Sequence, residues 1–375
     1  MLKLGTIAFG GPAVHVAMLR EETVRRRRWL PDGEFLDLFG AVSVLPGPSS
    51  TQLAIVLARR RAGWPGLVVG GVCFVLPAMA IVLALAWAYV RYGSTPAGGG
   101  VLYGVGPVVI AVVAVAVWEL TGSALRRHRE QGRLAVAGMA AVGLAALAGY
   151  LASVNVLVIL AAAGLVATLA GNRRRLRPGA LLNALPVGLL AAAVQARRQP
   201  GPSLVAVAAE FLKLGVVVFG SGYALLAFLR RDLVTGLGWL SAREVLDAVV
   251  AGQVTPGPLF TTATFLGYLL GGFPAAMVAT AAIFLPSFVM VAALEPLIGR
   301  VRRSRWAGAA LDGVTVAALG LMAGVTIDLG RTAITDPLTA GIAVASLLVT
   351  LRLRPNPLWL VLAGAAIGVA HHTLG

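Results

Sequence analysis

Apolar runs of about 17 to 25 residues, parted by short arginine-rich or Gly/Pro loops, recur along the whole chain, and that length is what a helix needs to cross a ~30 Å hydrocarbon slab at 1.5 Å per residue. The charged share confirms the solvent: 12% of the 375 residues are charged and 58% are hydrophobic, against roughly 25% charged in soluble domains. Outer-membrane strands would instead alternate over ~10-residue segments, and no such alternation occurs. The expectation is an all-α polytopic membrane protein. Candidate segments fall near 2–19, 36–58, 65–90, 101–120, 134–151 and 154–171, then a short one near 180–195. Six more follow near 204–229, 245–270, 273–298, 308–328, 335–351 and 357–373. That makes about 12–13 membrane segments. No cleavable leader precedes the first run, which is expected to enter the membrane itself.

A shift of 210 residues lays the second half on the first. Leu2-Lys3-Leu4-Gly5 meets Leu212-Lys213-Leu214-Gly215, Trp29-Leu30 meets Trp239-Leu240, and Pro46-Gly47-Pro48 meets Pro256-Gly257-Pro258. Such internal periodicity is the signature of a duplicated unit. The expected division is a repeat over 1–172, a linker with a short membrane segment over 173–200, and a second repeat over 201–375. Six segments per half plus one between them would send the second copy through the membrane upside down, as in many secondary transporters. With that arrangement one face collects more than twice as many Lys and Arg as the other, and the positive-inside rule makes it cytoplasmic. Arg25 to Arg28 fit better if 2–19 and 36–58 are re-entrant, bent at their Gly/Pro breaks, although the longer run 204–229 suits a full span.

The breaks carry the candidate chemistry. In Pro46-Gly47-Pro48-Ser49-Ser50-Thr51-Gln52, proline ends one half-helix and starts another. The new N-terminus offers unpaired N–H groups and a partial positive charge, with hydroxyls and an amide beside them, which suits an anion at membrane depth. The second copy is Pro256-Gly257-Pro258 followed by Thr261, Thr262 and Thr264. The competing reading is a structural kink whose hydroxyls bond back to carbonyls. A second paired break, Phe9-Gly10-Gly11-Pro12 and Phe219-Gly220-Ser221-Gly222, would allow close approach of a ligand or simply of another helix.

Lys3 and Lys213 are the only lysines and share a repeat position. Each suits an anion, a carboxylate partner or an interface. Arg20 and Arg230 also pair, as oxyanion clamps or as loop residues. Glu34 with Asp37, and Glu244 with Asp247, share a helix face; they serve as proton-coupling candidates or, by the blander reading, as helix-end acids. The net charge of +16 sits in short loops and reads as cytoplasmic retention, with no nucleic-acid partner. One cysteine, Cys73, and four scattered histidines supply no metal set. Nucleotide-binding and hydrolytic motifs are absent, so neither a cofactor nor an enzymatic activity is expected.

Lys3-Leu4-Gly5, Phe9-Gly10-Gly11-Pro12, Arg26-Arg27-Arg28-Trp29 and Leu45-Pro46-Gly47-Pro48, in that order, resemble the chromate ion transporter family in its long two-domain form, and Lys213-Leu214-Gly215 with Thr255-Pro256-Gly257-Pro258 resemble its C-terminal domain. The resemblance implies chromate efflux across the bacterial cytoplasmic membrane, driven by the proton motive force, with sulfate as a related anion and the halves oppositely oriented. Where that family often carries an acid after Pro-Gly-Pro, this chain has Ser49-Ser50. Uptake by the same fold, and an enzyme acting on phosphorylated lipid, are the alternatives; the second would need clustered acids or metal ligands. The expected partners are the anion and the lipid bilayer, with a homodimer compatible with the sequence.

Overall fold

The computed structural model describes residues 1–8, 11–43, 45–127, 132–171, 202–218, 225–294, 305–353 and 355–374. The expected segment near 180–195 and the break residues Gly10, Gly220 and Ser221 lie outside them. Every regular element among the described residues is helical, and five helices are long and apolar enough to cross a membrane: Ser49–Tyr92, Pro96–Arg126, Arg133–Leu151, Leu259–Ala293 and Gly308–Ala333. Large apolar side chains face outward, Trp118 at 75% and Trp359 at 69% exposure among them. Threonine and serine hydroxyls, one glutamine and one histidine are buried. The protein is a polytopic, all-α membrane protein turned inside out with respect to water.

The first half runs α1 (Leu2–Ile7), α2 (Gly11–Arg20), a π-helical turn (Glu21–Arg26), α3 (Asp32–Val42), α4 (Ser49–Tyr92), α5 (Pro96–Arg127), α6 (Arg133–Leu151) and α7 (Val156–Gly171). The second half repeats the order as α8 (Leu204–Val217), α9 (Leu225–Leu229), a π-helical turn (Arg230–Gly236), α10 (Ala242–Val254), a 3₁₀ turn (Leu259–Thr261), α11 (Thr262–Leu294), α12 (Arg305–Ala333), α13 (Pro337–Leu353) and α14 (Pro357–Leu374).

The broken segments fold back on themselves. Lys213 reaches Asp232 at 2.8 Å, where a straight helix would hold them ~28 Å apart. Glu34, at the start of α3, lies 3.6 Å from Arg60 near the end of the first arm of α4; a continuous helix would separate them by ~39 Å. The first Pro-Gly-Pro is therefore the tip of a hairpin; at the second, α10 ends at Val254 and packs back against the 3₁₀ turn and α11, which makes a matching hairpin. A second reversal follows at Ala62-Gly63 and at Gly271-Gly272, where the helical dihedrals fail. Beyond it Thr264 and Thr280 hydroxyls meet at 2.7 Å, against ~24 Å along an unbroken helix. The arm over 49–61 spans only ~20 Å, too short for the hydrocarbon core. Run 36–58 is thus two helical arms joined at Pro46-Gly47-Pro48, and 204–229, which had suited a full span, is interrupted after Val217 as well.

The two hairpins start from opposite ends of the molecule. Arg59, at the base of the first, donates to the Val291 and Ala292 carbonyls at 3.0 and 2.8 Å, which lie ~30 Å of helix beyond the Gly272 turn. Reciprocally, Tyr89, far along α4, donates to Asp247 of α10 near the base of the second hairpin at 2.9 Å. The outer helices are exchanged in the same sense: α5 packs on α13 and α14, and α12 packs on α6 and α7.

Candidate functional site

Gly47 and Gly257 hold φ of +108° and +103°, a region that L side chains avoid. This lets each Pro-Gly-Pro turn aim its glycine N–H at the other half. Gly47 N donates to the Val218 carbonyl at 2.6 Å, and Gly257 N donates to the Ala8 carbonyl at 3.0 Å. Ala8 and Val218 end α1 and α8 and are themselves equivalent under the 210-residue shift. The four breaks are thereby tied into one crossed cluster, with the bonds repeated about a pseudo-twofold.

Two helix N-termini open at that cluster, and they differ. At α4 the first helical bond is Gln52 N to the Pro48 carbonyl at 3.0 Å, and no side chain caps the end. The Thr51 hydroxyl is fully buried without a hydrogen-bond partner, as is Gln52 Oε1. Gln52 Nε2 donates to the Pro46 carbonyl and lies 3.5 Å from Ser287 Oγ of α11. Ser49 is half-buried and Ser50 buried. Buried hydroxyls without partners are uncommon because desolvation costs about 1–3 kcal/mol each. In the second copy the hydroxyls are occupied: Thr261 donates to the Pro258 carbonyl and Thr262 to the Leu259 carbonyl, both at 2.7 Å. Those hydroxyls bond back to carbonyls of their own turn, whereas the Thr51 hydroxyl at α4 has no such partner.

The charged candidates stand apart from the breaks. Lys213 pairs with Glu210 at 2.6 Å and with Asp232 at 2.8 Å, about five residues before Val218; Lys3 is exposed on α1. The hydrogen bond from Arg27 holds Glu22 below the usual carboxylate range, with the charges of Arg27 and Lys3 helping. Arg20 forks onto Asp32, with Nε 2.6 Å from Oδ1. Arg230 lies 3.5 Å from Asp328. Glu244 completes a capping box with Ser241, and Glu34 is the ion-paired residue of the first hairpin base. Asp37 is exposed on α3. Of these four acids only Asp247 is buried, beneath Tyr89. Gly11 opens α2.

Sequence reading did not single out His15 or Ser287. His15 is 2% exposed; its Nε2 lies 2.9 Å from the Ala8 carbonyl and its Nδ1 3.3 Å from Ser50 Oγ. A lone histidine in an apolar run was the available signal. Glu210, one turn before Lys213, was the other. Among the described residues no group of three or more His, Cys, Asp or Glu side chains could hold a metal.

The sequence pattern of one family, described as Chromate transporter, matches residues 1–168 and 205–369, which is nearly the whole chain. The chain belongs to that family. Among chromate transporters it is 33% identical to the chromate transport protein of Cupriavidus metallidurans over 366 residues, covering 98% of this chain and 90% of the relative. It is 34% identical to the chromate transport protein of Pseudomonas aeruginosa, covering 98% and 89%. It is 33% identical to the probable chromate transport protein of Synechococcus elongatus, covering 97% and 92%. No solved structure matches this chromate transporter chain.

Proposed function

We propose that the chain exports chromate, or a tetrahedral dianion of the same shape and charge such as sulfate, across the bacterial cytoplasmic membrane, using the proton motive force. Family membership supports chromate transport across a membrane. The observation that carries the site is the uncapped α4 N-terminus at the crossed cluster, with the Thr51 hydroxyl buried beside it and unpartnered. Its N–H groups and hydroxyls are donors without competing carboxylates, which suits an oxyanion.

Direction has a physical basis. An inside-negative potential is worth ~2.3 kcal/mol per elementary charge per 100 mV, so a dianion leaving the cell gains about 4.6 kcal/mol, on the order of a thousandfold gradient. Uptake would have to carry two cations inward to cancel that cost. In this reading residues 1–172 and 201–375 are repeats mounted in opposite senses, and rocking of one against the other exposes the anion to each side in turn. The hairpin bases at opposite ends of the molecule support that arrangement. Lys3, exposed on α1, acts at a distance through the field it lends the approach, whereas Lys213 is neutralised by Glu210 and Asp232; Asp247 is the coupling candidate among the four acids.

The test is flux of labelled chromate and sulfate into inverted membrane vesicles. Accumulation of either, abolished by a protonophore, is the expected result. Vesicles carrying the protein that accumulate neither anion above protein-free vesicles overturn the reading.

A further inference from the structure

We propose that His15 is the group through which proton occupancy sets anion affinity, acting on the Ser50 hydroxyl at the α4 N-terminus; the inference rests on the oxyanion reading of that end. The Ala8 carbonyl can only accept, so the Nε2 atom 2.9 Å away carries the hydrogen. In the neutral ring Nδ1 is then a bare acceptor, and the Ser50 hydroxyl 3.3 Å away gives its hydrogen to it. That donor is turned away from an anion at the helix end. A proton arriving on Nδ1 reverses the bond: Nδ1–H donates to Ser50 Oγ, and the Ser50 hydrogen is released to point elsewhere. The α4 N-terminus then gains a hydroxyl donor next to Thr51 and a positive charge behind it.

The surroundings favour this role over a merely packed histidine. The Ala8 carbonyl that holds the ring also accepts from Gly257 N, so the imidazole is tied to the crossed bonds between the halves. Phe74 meets the ring edge-on, with centroids 6.0 Å apart, and fixes its plane. The ionisable groups on the elements packed against α2 are chiefly Lys3 on α1, Arg20 at the end of α2, Glu21 and Glu22 just beyond it, and Arg59 and Cys73 on α4. Arg20, Glu22 and Arg59 are engaged elsewhere, and none of the six is hydrogen-bonded to His15. Leu225 stands at the equivalent position in the second half, so the device supplies one proton site per chain and not two.

The test uses purified full-length protein with sulfate and selenate, which stay doubly charged between about pH 5.5 and 8, so that any pH dependence belongs to the protein. The expected result is weaker binding as pH rises, approaching on the order of tenfold per pH unit, with about one proton taken up per anion in weak buffer. His15→Gln keeps an amide donor for Ala8 and should bind with a flat pH profile and no proton uptake. Should that variant fail to fold, Ser50→Ala should show a smaller gain in affinity on acidification. Anion binding by the wild type without proton uptake, a wild-type slope in His15→Gln, or an undiminished acid gain in Ser50→Ala each overturns the proposal and leaves the oxyanion reading standing. Failure of the wild type to bind either anion overturns both.

Discussion

At the scale of single residues, backbone geometry and side-chain satisfaction pull in different directions around the breaks. A Cβ on Gly47 would stand 2.7 Å from both Gln52 Nε2 and Ser287 Oγ, and one on Gly257 would stand 2.7 Å from the Ala78 methyl. Positive φ adds about 1–2 kcal/mol for any L residue. Gly47→Ala and Gly257→Ala should therefore each lower the thermal midpoint in detergent by several degrees, and unchanged midpoints would remove the turns from the stability argument. Thr51 should behave in the opposite way. Its hydroxyl is buried and unpartnered, so Thr51→Val should leave stability unchanged or raise it by up to about 1–3 kcal/mol. If the hydroxyl serves the anion, the same variant should weaken sulfate binding on the order of tenfold. A variant both less stable and equally avid for sulfate would contradict that assignment.

At the scale of elements, short half-helices exist because proline interrupts the backbone bonds and a second element supplies what is missing. The arm over 49–61 is too short to be stable alone in an aqueous setting, and is held by α11 through Gln52 and Arg59. Helix starts nearer the surface use ordinary caps. Asp336 accepts from Leu338 N and Thr339 N, both at 2.9 Å, and from the Tyr103 hydroxyl of α5 at 2.8 Å. The Thr339 backbone bond is the largest cause that brings its carboxyl down to about 2. The folded value lies below the unfolded one of ~3.9, so the cap stabilises fully above about pH 4 and loses that effect as pH falls through about 2. Asp336→Ala should lower the thermal midpoint at neutral pH, and the difference from wild type should close across that window. A difference that is constant with pH would mean that packing, and not the carboxylate, holds this start.

At the scale of the whole molecule, the halves are interlocked more than juxtaposed. Each contributes a hairpin tip that bonds the other's first helix, and each surrenders its last two helices to the other's long helix. The proposed opposite mounting of the two repeats makes a direct prediction. In a Cys73→Ser background, Arg60→Cys at the base of the first hairpin and Arg243→Cys at the base of the second should react with an impermeant maleimide from opposite sides of sealed vesicles. Reaction from the same side would refute the inverted arrangement.

The membrane class and the positions of the Pro-Gly-Pro breaks were legible because each depends on local chemistry: run length, and proline and glycine placement. Even Glu244 as a helix-start acid could be read that way, since Ser241 lies three residues before it. The glycine cluster near 220 marked a break within 204–229, but the length of the run did not distinguish a full span from two half-helices. Nor could it pair Gly47 with Val218 or Gly257 with Ala8, or give His15 its two partners. Those bonds join residues far apart in the chain, and only folding the two copies against each other brings them within reach. Composition and spacing determined the solvent and the half-helices; the meeting of the half-helices was decided in three dimensions, where a donor turned away from its own segment must find its acceptor on another.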